Sequence, residues 1–185
     1  GGGGSSRIAF ARAGAAPGTD APHVLNRIQA ATRLTSLSNL ADVPTDCPTR
    51  ERRGWTGDGG LTRQVTSYNF DMGSFYAKWL TDIADGQDTF AAQCESAGAS
   101  KCDCTSYNCT GEVPPCAPFY LHGYHGDSTH PGTDPLWGMA ITTVAHHMLS
   151  WYADATAVRA VYGRLQLYMA YLAHVPGINP VVAPF

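Results

Sequence analysis

Between Pro44 and Asp58 the chain gathers three carboxylates (Asp46, Glu51, Asp58), three arginines (Arg50, Arg52, Arg53) and one tryptophan (Trp55). Carboxyl groups supply an acid, a base and acceptors for hydroxyls. An arginine fixes a carboxylate through a bidentate pair. A tryptophan offers a flat apolar face to a sugar ring. Together these are the groups needed to cleave a glycosidic bond, which takes two carboxyls on opposite sides of the scissile oxygen. The same composition also serves a solvated connector, since connecting segments are polar for reasons unrelated to function.

The elements around this stretch must be helices. Pro44, Pro48, Gly54 and Gly57 exclude regular structure within it. Upstream, Asp20 as N-cap and Pro22 in the first turn open a helix that Val24, Leu25, Ile28, Ala31 and Thr35 carry to about Asn39. Its end delivers Ser38 and Asn39 to the loop as candidate braces. Downstream, Gly59–Tyr68 reads as a short helix with Leu61, Val65 and Tyr68 inward. Asn69–Ala84 repeats Phe70, Gly73, Ala77, Leu80 and Ala84, with Met72, Tyr76, Trp79 and Ile83 on other faces. A helix apolar on more than one face is buried between layers, and core packing is the expected role of Trp79.

Pro135–Tyr152 carries an apolar stripe of Trp137, Ile141, Val144, Met148, Trp151 and Tyr152. Ala157–Ala173 carries Val158, Val161, Tyr162, Leu165, Tyr168, Met169 and Leu172. The link Asp154-Ala155-Thr156 makes them an αα-hairpin. His146 and His147 are adjacent, so they diverge and cannot share a metal. The fold class expected is all-α, about five helices with no strand pair.

Residues 86–133 lose periodicity. They hold five of the six cysteines (Cys94, Cys102, Cys104, Cys109, Cys116), with Cys47 apart in the charged loop as a small buried residue. Without a CxxC pair, disulfides are the expected use, and Asn108-Cys109-Thr110 is a sequon. Both point to a secreted, oxidising compartment. His122, His125, His130 and Asp127 could ligate a metal, but no spacing supports a site, and a polar surface loop is the reading adopted. A net charge of −3 and 15% charged residues provide no basic surface for nucleic acid and no polybasic membrane anchor. No apolar run reaches membrane-spanning length. Residues 1–19 read as a flexible leader.

The order Asp46-Cys47-Pro48-Thr49-Arg50-Glu51-Arg52-Arg53-Gly54-Trp55-Thr56-Gly57-Asp58 closely resembles the signature loop of bacterial-type α-L-rhamnosidases, glycoside hydrolase family 78. The similarity continues through Asn26-Arg27-Ile28, Ser38-Asn39, Asn69-Phe70-Asp71, Lys78-Trp79-Leu80, Val113-Pro114 and Asp134-Pro135-Leu136-Trp137-Gly138. The resemblance implies a six-hairpin (α/α)6 barrel, here partial over residues 20–185 with a cysteine-rich insertion at about 88–130. It also implies inverting, metal-independent hydrolysis of a terminal α-L-rhamnoside without a cofactor. Glu51 matches the general acid. To donate a proton at neutral pH it needs repulsion from Asp46 and Asp58 and cover from Trp55, against the pull of the arginines. Asp46 and Asp58 match positions that hold the sugar hydroxyls. Trp55 packs against the ring or its methyl, Arg50 orients a carboxylate, and Trp137 matches an aromatic of the active-site face.

Two departures from the family pattern stand out. Met139 occupies the place of an acidic residue after Trp-Gly, with Asp134 a candidate substitute. No residue matches the general base, because the last glutamate is Glu112, inside the insertion. The chain is therefore expected to be the general-acid half of a longer domain, inactive and poorly folded alone. A non-catalytic carbohydrate-binding module is the alternative. A secreted interaction protein built on the cysteine-rich loop is a third.

Overall fold

The computed structural model describes residues 21–97, 111–118 and 135–173. They form six helices: α1 (Ala21–Ser38), α2 (Thr56–Asn69), α3 (Gly73–Ala97), the single turn α4 (Pro135–Gly138), α5 (Ala140–Tyr152) and α6 (Ala155–Leu172). No strand occurs among the described residues, and the fold is all-α, as expected. The leader, residues 98–110, the histidine-bearing stretch 119–134 and residues 174–185 lie outside the described residues.

Helix α3 is the axis of the core. Tyr76, Trp79, Leu80, Ile83 and Gln87 are fully buried along it, and it packs against both α5 and α6. Trp79 is therefore a core residue. The helix differs from expectation at both ends. Phe70 is extended (φ −143°, ψ 155°), so α2 closes at Asn69 and α3 starts at Gly73. At the other end it runs to Ala97, into the region read as irregular. Polar positions hide this continuation: Gln87 is buried because its Nε2 donates to Gly111 O at 2.8 Å and Arg164 O at 3.4 Å.

Helix α2 is turned the other way from its expected orientation. Leu61, Val65 and Tyr68 face solvent, and Thr56, Gly57, Gly59, Gly60, Thr66 and Asn69 are buried. Large aromatics of neighbouring helices need a surface without side chains. A Cβ at Gly59 would stand 2.4 Å from the Trp79 ring, and one at Gly57 would stand 2.5 Å from the Trp137 ring. That close approach outweighs burial of three larger side chains on the opposite face.

Helix α1 also departs from expectation, since Val24, Leu25 and Ile28 are exposed. Polar contacts attach it instead. Gln29 Nε2 donates to Asn69 Oδ1 at 2.5 Å, Arg33 Nη1 donates to Asn69 O at 2.8 Å, and the Arg33 guanidinium lies 4.7 Å from the Phe70 ring centre. The α5–α6 hairpin forms as expected, though Trp151, Tyr162 and Met169 of its stripes are exposed. Ala153 takes a left-handed conformation (φ 51°), and its N–H reaches Leu149 O. The Asp154 N–H returns to Met148 O. Asp154 Oδ1 then caps α6 by accepting from Thr156 N and Ala157 N, each at 3.0 Å.

Residues 111–118, within the stretch read as a cysteine-rich insertion, pack against the helices. Glu112, Val113, Cys116 and Ala117 are buried. Cys116 is a free thiol, as is Cys47; with an odd number of cysteines in the cluster, one of the five is free or pairs outside it, and the pairing of the other four rests on residues outside those described. Cys47 is half-buried instead of enclosed.

Candidate active site

The charged loop connects α1 to α2 and is held at three levels. At its entry Asn39 O accepts from Thr45 N at 2.8 Å and Thr45 Oγ1 at 3.2 Å. The Asn39 side chain adds the brace expected, its Oδ1 accepting from Thr45 Oγ1 at 3.3 Å, whereas Ser38 turns back to Thr35 O within α1. In the middle, Asp46 and Arg53 close the loop on itself. Asp46 N donates to Arg53 O at 3.1 Å, and Arg53 N donates to Asp46 Oδ1 at 3.0 Å. Between them Arg52 is left-handed (φ 52°), and Glu51 N donates to Cys47 Sγ at 3.2 Å.

At its exit the loop is clamped by residues 111–118. Ala117 N donates to Gly54 O at 2.8 Å, and Thr56 donates to Pro115 O through both N (2.7 Å) and Oγ1 (2.9 Å). Gly54 is required here, since a Cβ would meet Ala117 O at 2.1 Å. Trp55 pairs with Cys116 in an isolated antiparallel bridge.

Of the expected site residues, the loop brings Glu51, Trp55 and Arg50 into one group. Trp55 Nε1 donates to Glu51 Oε2 at 2.8 Å, and Arg50 Nη2 lies 3.8 Å from Oε1. Glu51 is exposed, so Trp55 grips its carboxyl by the indole edge where cover by the ring face was expected. Arg50 lies beside this carboxylate, but from an 84% exposed side chain that makes the pair weak.

Asp46 and Asp58 share a cleft of about 440 Å³ between α1 and α2, with Ile28, Thr32 and Thr62 also on its walls. Their protonation is tuned in opposite directions. Burial pushes the Asp58 carboxyl above its ordinary range, and the charges of Asp46 and Glu51 push the same way, against a hydrogen bond from its own backbone. Burial also pushes Asp46 upward, but the Cys47 thiol and the N–H groups of Arg53 and the local backbone outweigh it, and its carboxyl ends below the ordinary value. Asp46 is thus a firm anion beside a carboxyl that takes up protons more readily.

Trp137 stands apart. It lies on Gly57, next to Asp58 in sequence, and lines a smaller cleft of about 250 Å³ on the opposite face of α2 with Arg63 and Met139. The sequence reading did not single out Arg63, the 111–118 clamp, or the Ser67–His147 contact (2.8 Å) that ties α2 to α5. Glycines at 54, 57, 59 and 60 were the available signal for close-packed neighbours. Among the described residues no three His, Cys, Asp or Glu side chains converge as metal ligands, and no helix is long and apolar enough to cross a membrane.

Residues 19–177 match the bacterial α-L-rhamnosidase six-hairpin glycosidase domain family. The chain belongs to this family. Two α-L-rhamnosidases of Formosa agariphila are similar to this rhamnosidase-family chain, at 37% identity over 60 residues and 36% over 70. An α-L-rhamnosidase of Streptomyces avermitilis is 36% identical over 70 residues. These matches cover 32%, 37% and 37% of the chain but only 6%, 8% and 7% of the relatives. The solved α-L-rhamnosidase of Dictyoglumus thermophilum superposes with a TM-score of 0.62 at 29% identity, over 84% of this chain and 15% of that one. The six-hairpin family chain thus spans a small part of the relatives it matches.

Proposed function

We propose that this chain supplies the sugar-holding and proton-donating half of an inverting α-L-rhamnosidase site, with Glu51 as general acid. The observation that carries the reading is the grouping of Asp46 and Asp58 along one cleft, with Glu51 close enough for its charge to act on Asp58. Asp46 accepts sugar hydroxyls as an ionised carboxylate. Asp58 does so from the first turn of α2, where the helix dipole favours its anion while burial opposes it. Glu51 Oε2 is engaged by Trp55, so Oε1 is the oxygen that carries the donated proton. Arg50 helps to orient the Glu51 carboxylate from its exposed position without touching the sugar. Trp137 contributes from across the first turn of α2.

Inversion needs a second carboxyl to activate water. Glu112 is only 2% exposed and is unsuited to that role. We assign the base to a part of the complete enzyme outside the described residues, and turnover to that complete enzyme. Replacing Glu51 by Gln in the complete domain should lower rhamnose release from an alkyl α-L-rhamnoside by roughly 10²–10⁴-fold. An aryl rhamnoside, whose leaving group needs less protonation, should lose less. Unchanged turnover on both substrates would remove Glu51 from the mechanism.

Exposed Met139, where the family pattern places an acidic residue, favours a second reading as a non-catalytic sugar-binding module. Rhamnose bound equally by wild type and Glu51→Gln, with no turnover in the complete domain, would select it.

A further inference from the structure

The cleft beside Trp137 holds an unsatisfied cation. Arg63 lines it. Its Nη1 donates to Gly60 O, while its Nε is buried without a hydrogen-bond partner. None of the ion pairs among the described residues includes Arg63. Its charge acts instead on neighbours that cannot neutralise it, repelling a proton from His147 and acting on the Tyr76 hydroxyl. A partly desolvated guanidinium with no ion pair among the described residues is costly, and an anion entering the cleft recovers that cost.

The rest of the cleft describes the body that should carry the anion. Its rim is apolar and exposed: Leu61 at 76%, Leu136 at 68%, Met139 at 39%, with Trp137 beside them. At about 250 Å³ it falls below the ~300 Å³ at which sites for drug-sized ligands begin. That leaves room for about one ring. An apolar rim around one cation suits a carboxylate on a flat, apolar ring better than a polyhydroxylated sugar acid.

We propose that the Arg63–Trp137 cleft binds an aromatic carboxylate, as a site separate from the sugar cleft on the other face of α2. This binding does not rest on the glycosidase reading.

The test titrates the full chain with 4-hydroxybenzoate and with its neutral isostere 4-hydroxybenzamide, and separately with L-rhamnose. Wild type should prefer the acid by roughly tenfold or more, the worth of a charge-assisted hydrogen bond. Arg63→Gln should erase that preference and leave rhamnose affinity unchanged. Arg63→Lys, which keeps the charge, should retain part of the preference and guards against misfolding of the Gln variant. Equal binding of acid and amide to wild type overturns the proposal, as does a preference that survives in Arg63→Gln. Rhamnose bound without an acid preference removes this cleft and spares the glycosidase reading. An acid preference without rhamnose binding supports this cleft and counts against the sugar-holding role of the other.

Discussion

At the scale of single residues, the candidate site works by giving similar groups different surroundings. Asp46 and Asp58 line one cleft, yet backbone N–H groups and a thiol hold the first below the ordinary range while burial and like charges hold the second above it. The signs give opposite stability profiles. An aspartate raised in the folded state binds its proton more tightly there, so stability is lost as pH rises from 3.8 through the folded value. Asp58→Asn removes that loss. The variant should melt higher than wild type at pH 7 and lose the advantage below pH 4, while binding rhamnose more weakly. Thermal melts across pH with parallel rhamnose titrations check both halves. A variant that melts lower at every pH would show that Asp58 is held by contacts worth more than its charge costs. The motif residues were legible in sequence because their types state their chemistry. Their orientation was not: whether Trp55 meets Glu51 by face or edge depends on its pairing with Cys116, sixty-one positions away.

At the scale of elements, helices were legible and their faces less so. Periodicity located α1 and the α5–α6 hairpin because those segments alternate apolar and polar turns. It failed for α2, where glycine forms the buried surface and apolar side chains point outward. It shortened α3, because the Nε2 of buried Gln87 finds Gly111 O and Arg164 O, partners invisible from its own neighbourhood. Two predictions belong here. Ala153 caps α5 with a positive φ that glycine adopts without strain, and its side chain is exposed. Ala153→Gly should therefore stabilise by about 0.5–1 kcal/mol after the added unfolded-state entropy is counted, raising the Tm by a few degrees. His147 is buried between Ser67, Tyr76 and Trp151, and burial lowers its proton affinity, with Arg63 and His146 adding to the effect. The unfolded state therefore gains protons first as pH falls through 6.5, and the Tm should drop on the acid side of that value. His147→Gln should flatten this segment of the Tm–pH curve even if it lowers the curve as a whole. An equally steep segment in the variant would assign the drop to other groups.

At the scale of the molecule, α2 is fastened to its neighbours by aromatic rings seated on glycine, and α3 supplies the ring at Gly59. Trp79 also donates its indole N–H to Ala117 O at 3.2 Å, so the same side chain supports the helix and the segment that clamps the loop. Gly59→Ala should cost about 1–3 kcal/mol by overpacking against Trp79 and Pro44. Urea unfolding should show the midpoint falling with an unchanged slope, as expected if the described helices unfold as one unit. A changed slope would mean that α2 detaches on its own.

The clamp also has a consequence for synthesis. The loop bearing Glu51 is made before the segment that clamps it, since Thr56 finds its acceptor on Pro115, fifty-nine positions later. Closing so long a connection costs chain entropy that local contacts do not return. During translation the helix ahead of the loop can form while the loop itself still lacks its far wall. Glu51 is thus synthesised ahead of the segment that sets its loop in place.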